Sequence, residues 1–311
     1  MTRSRGTAVA VSLVVGAACA QQIGAAVAVT VWPMLGATGI VFVRFTVATL
    51  VMVTVRRPPL FHLSRVHWLT AAALAVAVAT MSLAFYNATG RIPLGIAVTI
   101  EVIGPLVLSV IAARRGEAIL WAVTAFGGVA LLGLTPENLG GSLDALGILC
   151  AAVAAVAWAV YIQLSARAAG MFDQLDALTL ASFFGALLVA PLAITSGGLR
   201  AVMDGHVAAL VVLVAFMSSV VPFSMEMKAL KSLPPGAFAV LTSLTPAIAA
   251  FVGLVMLDQH LAPTHYVAIA LVTVAAVGAV RTAQQNSPAH STRGRPSGSA
   301  RPPVSSHSDA A

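Results

Sequence analysis

Two charged residues lie deep inside apolar runs, and they are the side chains best placed to do chemistry. Glu101 sits in IAVTIEVIGPL and Arg44 in GIVFVRFTVATL. A charge on a lipid-facing helix costs about 2.5–3.5 kcal/mol, so each must face a partner or a polar cavity. Each is eight residues past a helix start, at Pro93 or Gly36, which puts both about 12 Å deep. Matched depth and opposite charge predict an ion pair or a shared polar pocket. Two readings stay open. One is a static bridge that holds two helices in register, and the other is a working site in which Glu101 takes a cationic group or a coupling proton. Burial and a nearby cation would pull the carboxyl's proton affinity in opposite directions.

Glu226, near the cytoplasmic end of the eighth apolar run and after Pro222, is either a solvated charge at a helix end or an inner gate or proton-relay acid. Gln21 and Gln22 in the first run, with Trp158, Tyr161 and Gln163 in the sixth, are polar or amphipathic groups at equivalent places in two halves of the chain. They either line a cavity or make helix-packing hydrogen bonds. Tyr86 and Asn87 suit an interface anchor or a cavity equally well. Pro105 and Pro246 each remove a backbone bond. Kinks are expected there, as paired hinges or as bends packed on small neighbours such as Gly104. Glu117 and Asp258 are read as acids at helix starts that favour the amino-terminal dipole.

The elements that must position these groups follow from composition. Hydrophobic residues make up 59% and charged residues 9%, against about 45–50% and about 25% in soluble domains. So few charges could not cover a soluble surface. Ten apolar stretches meet or approach the roughly 20 residues of a membrane span. They run over about 7–29, 36–55, 68–87, 93–113, 117–134, 145–164, 177–195, 207–227, 235–257 and 264–281. Backbone in lipid must bond within its own segment, so these are helices. The first run is too long for a signal peptide and is read as a retained span. The fold class expected is all-α integral membrane, with ten transmembrane helices.

The net charge of +7 and pI near 10.4 do not point to nucleic acid, because the basic residues cluster between apolar runs. Placing both termini in the cytoplasm puts Arg3, Arg5, Arg56, Arg57, Arg65, Arg114, Arg115, Arg167, Lys228, Lys231 and Arg281 inside, and only Arg91 and Arg200 outside. That bias fixes the expected orientation. Cys19 and Cys150 show neither metal nor disulfide spacing. The histidines are scattered, no glycine-rich phosphate loop appears, and no catalytic cluster gathers at one membrane face. A metal site, a cofactor, an ATP-driven pump and an enzyme are therefore not expected.

One register, adding 141, relates the halves: Pro93 to Pro234, Gly95 to Gly236, Pro105 to Pro246, Glu117 to Asp258 and Gln22 to Gln163. Five spans per half would turn the second copy upside down, so the plan is two inverted five-helix repeats. This is a recurring layout of secondary transporters, with the substrate site between the halves. Residues 1–140 form the first repeat, 141–281 the second, and 282–311, rich in Ser, Pro and Arg, a disordered cytoplasmic tail. Arg293, Arg295 and Arg301 in that tail are either plainly solvated or a contact for anionic lipid.

RIPLGIAVTIEVIGPLVLSVIAARRGE, residues 91–117, resembles the fourth helix and following loop of the EamA family of the drug/metabolite transporter superfamily. VPFSMEMKALKSLPPGAFAVLTSLTPAIAAFVGLVMLDQ, residues 221–259, resembles the matching end of its second repeat. IEVIGPL and SMEMKALKSLP are most similar to the RhtA-like branch, the threonine and homoserine exporters. The family usually has Glu where Asp258 stands. The resemblance implies efflux of small amino acids or related metabolites through the inner (plasma) membrane, coupled to the proton gradient. Glu101 would then hold a substrate ammonium or the proton, and Arg44 the substrate carboxylate. Another metabolite or drug is the alternative cargo. The partners implied are a small-molecule substrate, protons and the lipid bilayer. A homodimer is compatible with this plan.

Overall fold

The computed structural model describes residues 2–55, 64–113, 116–133, 144–169, 171–172, 174–230 and 241–286. All the regular elements it describes are helical. In chain order they are α1 (Thr2–Val55), α2 (Arg65–Thr89), α3 (Leu94–Glu101), α4 (Ile103–Ala113), α5 (Gly116–Gly133), α6 (Ala145–Ala169) and α7 (Gln174–Thr195). A 3₁₀ turn (Gly198–Met203) precedes α8 (Gly205–Ala215), a π turn (Phe216–Val220), α9 (Val221–Leu230), α10 (Thr245–Leu257) and α11 (Pro263–Asn286).

Among the described residues, six helical stretches are long and apolar enough to cross a membrane, and three apolar helices are shorter. The first stretch, Ala8–Thr54, has 47 residues, far more than one crossing needs. It is divided at Gly36, whose φ of 62° and ψ of 173° break the helix. A side chain disfavours that backbone region, so glycine is what allows the bend.

The outer surface carries the large apolar residues. Leu69 is 71% exposed, and Val156 and Phe251 are each 66% exposed. Such a surface has no place in water and matches lipid. The interior is built on small residues instead, with fully buried Ala26, Ala28, Ala88, Ala97, Ala154 and Ala249. A β-carbon on Gly95 would lie 2.8 Å from the Cα of Ala250, and one on Gly104 would overlap the carbonyl of Ala155. Helices in lipid associate through such close backbone approach. On this basis α2 and α3 pack on α6, α5 on α11, α10 on α3, and α1 on α7, α8 and α9.

Three expectations change. The 93–113 span is interrupted: Val102 forms a turn between α3 and α4, three residues before Pro105. Pro105 offers no N–H to the carbonyl of Glu101, which loosens the helix there. Pro246 lies in the first turn of α10, after a turn at 243–244, where proline costs no helical bond. Second, Asp258 does not start a helix. It ends α10 in the left-handed region, φ 53°, which aspartate tolerates. The next residue, Gln259, accepts a hydrogen bond from the backbone N–H of Leu94 at 3.0 Å and so caps α3. Third, α11 runs on to Asn286, past the expected start of the tail at 282. Arg56, Arg57, Arg114, Arg115, Lys231, Pro234 and Gly236 and the rest of the tail lie outside the described residues. So does the side chain of Glu117, whose backbone is in the first turn of α5.

Candidate functional site

A cavity of about 540 Å³ opens within the bundle, a size typical of small-molecule sites. Its walls come from α1, α2, α3, α4, α6, α7, the π turn, α9, the start of α10 with the turn before it, and α11. Helical spacing explains which side chains reach it. On α1, Val14, Ala18, Gln21, Gln22 and Ala25 form one stripe three and four residues apart. On α6, Trp158, Tyr161 and Ile162 line the cavity. Gln163 is exposed and is not in the wall. It lies two residues beyond Tyr161, about 200° around a helix, and so points away.

Of the residues singled out from sequence, Glu101, Arg44, Gln21, Gln22, Trp158, Tyr161, Glu226 and Pro105 border this one space. Gln163 and Pro246 do not. Glu226 is half-buried and borders the cavity rather than standing free at a helix end.

Arg44 and Glu101 share the cavity but are not paired. Among the described residues Arg91–Asp144 is an ion pair, and the His260 ring lies 3.0 Å from the Asp258 carboxylate. Arg44 instead donates from Nε to the Ser219 hydroxyl at 3.1 Å, from one terminal nitrogen to the Ser82 hydroxyl at 3.4 Å, and from the other to the Ser218 carbonyl at 3.2 Å. Its guanidinium carbon is 5.9 Å from the ring centres of both Phe45 and Tyr86. Tyr86 is buried, with its hydroxyl donating to Ser218 Oγ at 3.4 Å. This side chain belongs to the cavity, not to a membrane-interface belt.

The Ser218 carbonyl is free for Arg44 because of the local sequence. In an α-helix it would accept from the N–H four residues on, but that residue is Pro222, which has none. The chain takes the wider π spacing here, and the Val221 N–H donates to the Phe216 carbonyl five residues back. π turns interrupt helices at functional sites often. Gly24 makes room for this bulge, since a β-carbon there would overlap Ser218 Oγ.

A guanidinium has five N–H groups, and three of Arg44's are used on neutral acceptors. Two remain without a protein partner among the described residues. Two parallel N–H donors are what a carboxylate takes in bidentate pairing. Gln22 is 3% exposed, and its Oε1 has no hydrogen-bond partner. Sequence reasoning missed Ser82, Ser218 and Ser219, whose hydroxyls fit any helix. The available signal was Ser218 placed four residues before Pro222.

The cavity occupies one end of the bundle. Its lining runs from Val14 to Ala25 on the first arm of α1 and from Arg44 to Met52 on the second, and reaches Tyr86 on α2 and Val98 on α3. Beyond these the opposite end is filled by two apolar clusters, one around Val31, Leu35, Ile40 and Val211, the other around Ala88, Ile92, Ile96 and Ala268. Arg91 binds Asp144 at 2.9 Å at that end and lies 5.8 Å from the Trp32 ring centre. It thereby ties the α2–α3 connection to the start of α6 and to α1.

Residues 145–281 match the EamA-like transporter family. Over 266 residues the chain is 30% identical to the threonine/homoserine exporter RhtA of Escherichia coli strain K12, covering 86% of this chain and 89% of that protein. The threonine/homoserine exporter RhtA of Salmonella typhimurium strain LT2 is 29% identical over 261 residues, covering 84% and 88%.

Proposed function

Because the chain belongs to the EamA-like transporter family, we propose that it is a secondary active exporter of small amino acids, threonine- or homoserine-like, driven by inward proton movement across the bacterial inner membrane. The observation that carries this reading is the Arg44 guanidinium, held by neutral partners with two donors left over, in a cavity that Glu101 also borders. Such a pair suits a zwitterion: Arg44 takes the carboxylate and Glu101 takes the ammonium or the coupling proton. Glu226, Tyr161, Trp158, Gln21 and Gln22 complete the binding space.

Ten spans in two inverted repeats, with both termini in the cytoplasm, are part of the same proposal. Dividing Ala8–Thr54 at Gly36 and adding the three shorter apolar helices to the other long stretches gives that number of crossings. The register of 141 also relates the turn at Val102, before Pro105, to the turn at Ser243, before Pro246. These matched interruptions support hinge roles for both prolines. In this orientation the cavity opens to the cytoplasm and the Arg91–Asp144 end is closed. Residues 145–281, the stretch that matches the family, lie within the proposed second repeat, 141–281.

Counterflow of labelled threonine and homoserine in proteoliposomes, with and without a pH gradient, tests the proposal. Exchange of both, and accumulation only with the gradient, is expected. No flux of any amino acid through folded protein would end the exporter reading. Flux of other metabolites alone would favour a carrier for a different cargo. For Glu101→Gln, gradient-driven accumulation should disappear. Export equal to the parent's removes Glu101 from the mechanism.

A further inference from the structure

We propose that Gln22 is the specificity-determining residue that recognises a hydroxyl group on the substrate's side chain. The inference rests on the exporter reading above and adds a third point of recognition to Arg44 and Glu101.

Gln22 borders the cavity from α1 yet is almost fully buried, and its Oε1 meets no donor. Along its own stripe Val14, Ala18 and Ala25 are apolar, and neighbouring Gln21 does not donate to it. One turn further along α1, Ala25 and Ala26 pack with Val98, Val102 and Ala279, which are also without polar groups. As placed, this oxygen is closed off from water, so a guest completes the amide only once it turns to bring the oxygen to the cavity.

The chemistry of the guest follows from the amide itself. Turning it by 180° exchanges its carbonyl and its NH₂, so the group offers an acceptor or a donor to the same space. A hydroxyl donates and accepts, and so matches either orientation. An ammonium only donates, and a methyl group does neither. With the carboxylate on Arg44 and the ammonium on Glu101, the remaining polar group of a hydroxy amino acid is the one left for Gln22. A substrate without the hydroxyl leaves the amide bare, which lowers affinity.

The test uses the full-length protein in proteoliposomes and competition against labelled threonine exchange. Threonine and homoserine should compete about 10–100-fold better than 2-aminobutyrate, which lacks the hydroxyl, the range set by one unmet buried hydrogen bond. In Gln22→Leu the hydroxylated competitors should lose that advantage, while 2-aminobutyrate competes as well as before or better. Retention of the parent's ratio in Gln22→Leu overturns the proposal. Gln22→Met, which keeps side-chain length without the amide, gives the same reading by thermal shift with threonine against 2-aminobutyrate if the leucine variant does not fold. A parent that exchanges amino acids without favouring the hydroxyl also overturns it, yet leaves the exporter reading intact. A parent that exchanges none of them removes both.

Discussion

Arg44 is held in place without an acid, and this decides what its replacement should do. Lysine keeps the charge but has no planar fork, so it cannot reach Ser219, Ser82 and the Ser218 carbonyl and still have two donors left over. Arg44→Lys should therefore raise the KM for amino-acid exchange about 10–100-fold, the scale of one charge-assisted hydrogen bond. Initial exchange rates against substrate concentration measure it, and an unchanged KM refutes Arg44 as the carboxylate anchor. The charged residues were legible in the sequence because a charge in an apolar run has few places to go. Of the two arrangements expected, an ion pair or a shared pocket, these residues have the second, because depth along two helices says nothing of their rotation. Ser82, Ser218, Ser219 and Tyr86 surround the guanidinium instead, and serine in a helix sends no such signal. Gln22 and Gln163 match in the repeat register, yet one borders the cavity and the other is exposed. That register fixes position along the chain, while the face of the helix decides function.

At the scale of elements, the cavity's shape depends on where helices depart from α geometry. The turn at Val102 precedes Pro105, and the π turn at Phe216–Val220 precedes Pro222. In both cases the proline was visible in the sequence, but the form taken by the freed backbone was not. A missing N–H is compatible with a kink, a turn or a π bulge, and neighbouring helices select among them. Here Gly24 on α1 leaves space for Ser218. Gly24→Ala should push the bulge outward, move two of Arg44's acceptors and raise the KM by about 10-fold or more, as one charge-assisted hydrogen bond is lost. Adding Ser218→Ala, which removes the overlapping oxygen, should recover part of the loss. No effect of Gly24→Ala on exchange would show that the bulge does not set Arg44's position.

The whole molecule has one hollow end and one filled end, and Asp144 sits at the filled one. Its carboxyl is held below the ordinary 3.8 by the hydrogen bond from Arg91, then by the backbone N–H of Leu146. A lowered pKa means the link is complete above the ordinary value and is lost as pH falls through the lowered one. Acid on that side, or Asp144→Asn at neutral pH, should loosen the filled end. A cysteine placed at buried Ile92, with Cys19 and Cys150 replaced, should then react about two- to five-fold faster with a membrane-impermeant thiol reagent, the scale of one exposed ion pair. Equal rates would remove the pair from any gating role. Membrane class and helical content were legible from composition and run length. Which end is hollow was not, since packing of alanine and glycine faces settles it and those faces look alike in sequence. Gly36 carries one more consequence. On the ten-span proposal two spans would meet there at a single residue, with no loop between them. The pair would then enter the bilayer during synthesis as one hairpin. A protease, an epitope or a sugar would find nothing to grip at that vertex, and a reporter inserted there would break the bend rather than mark a side.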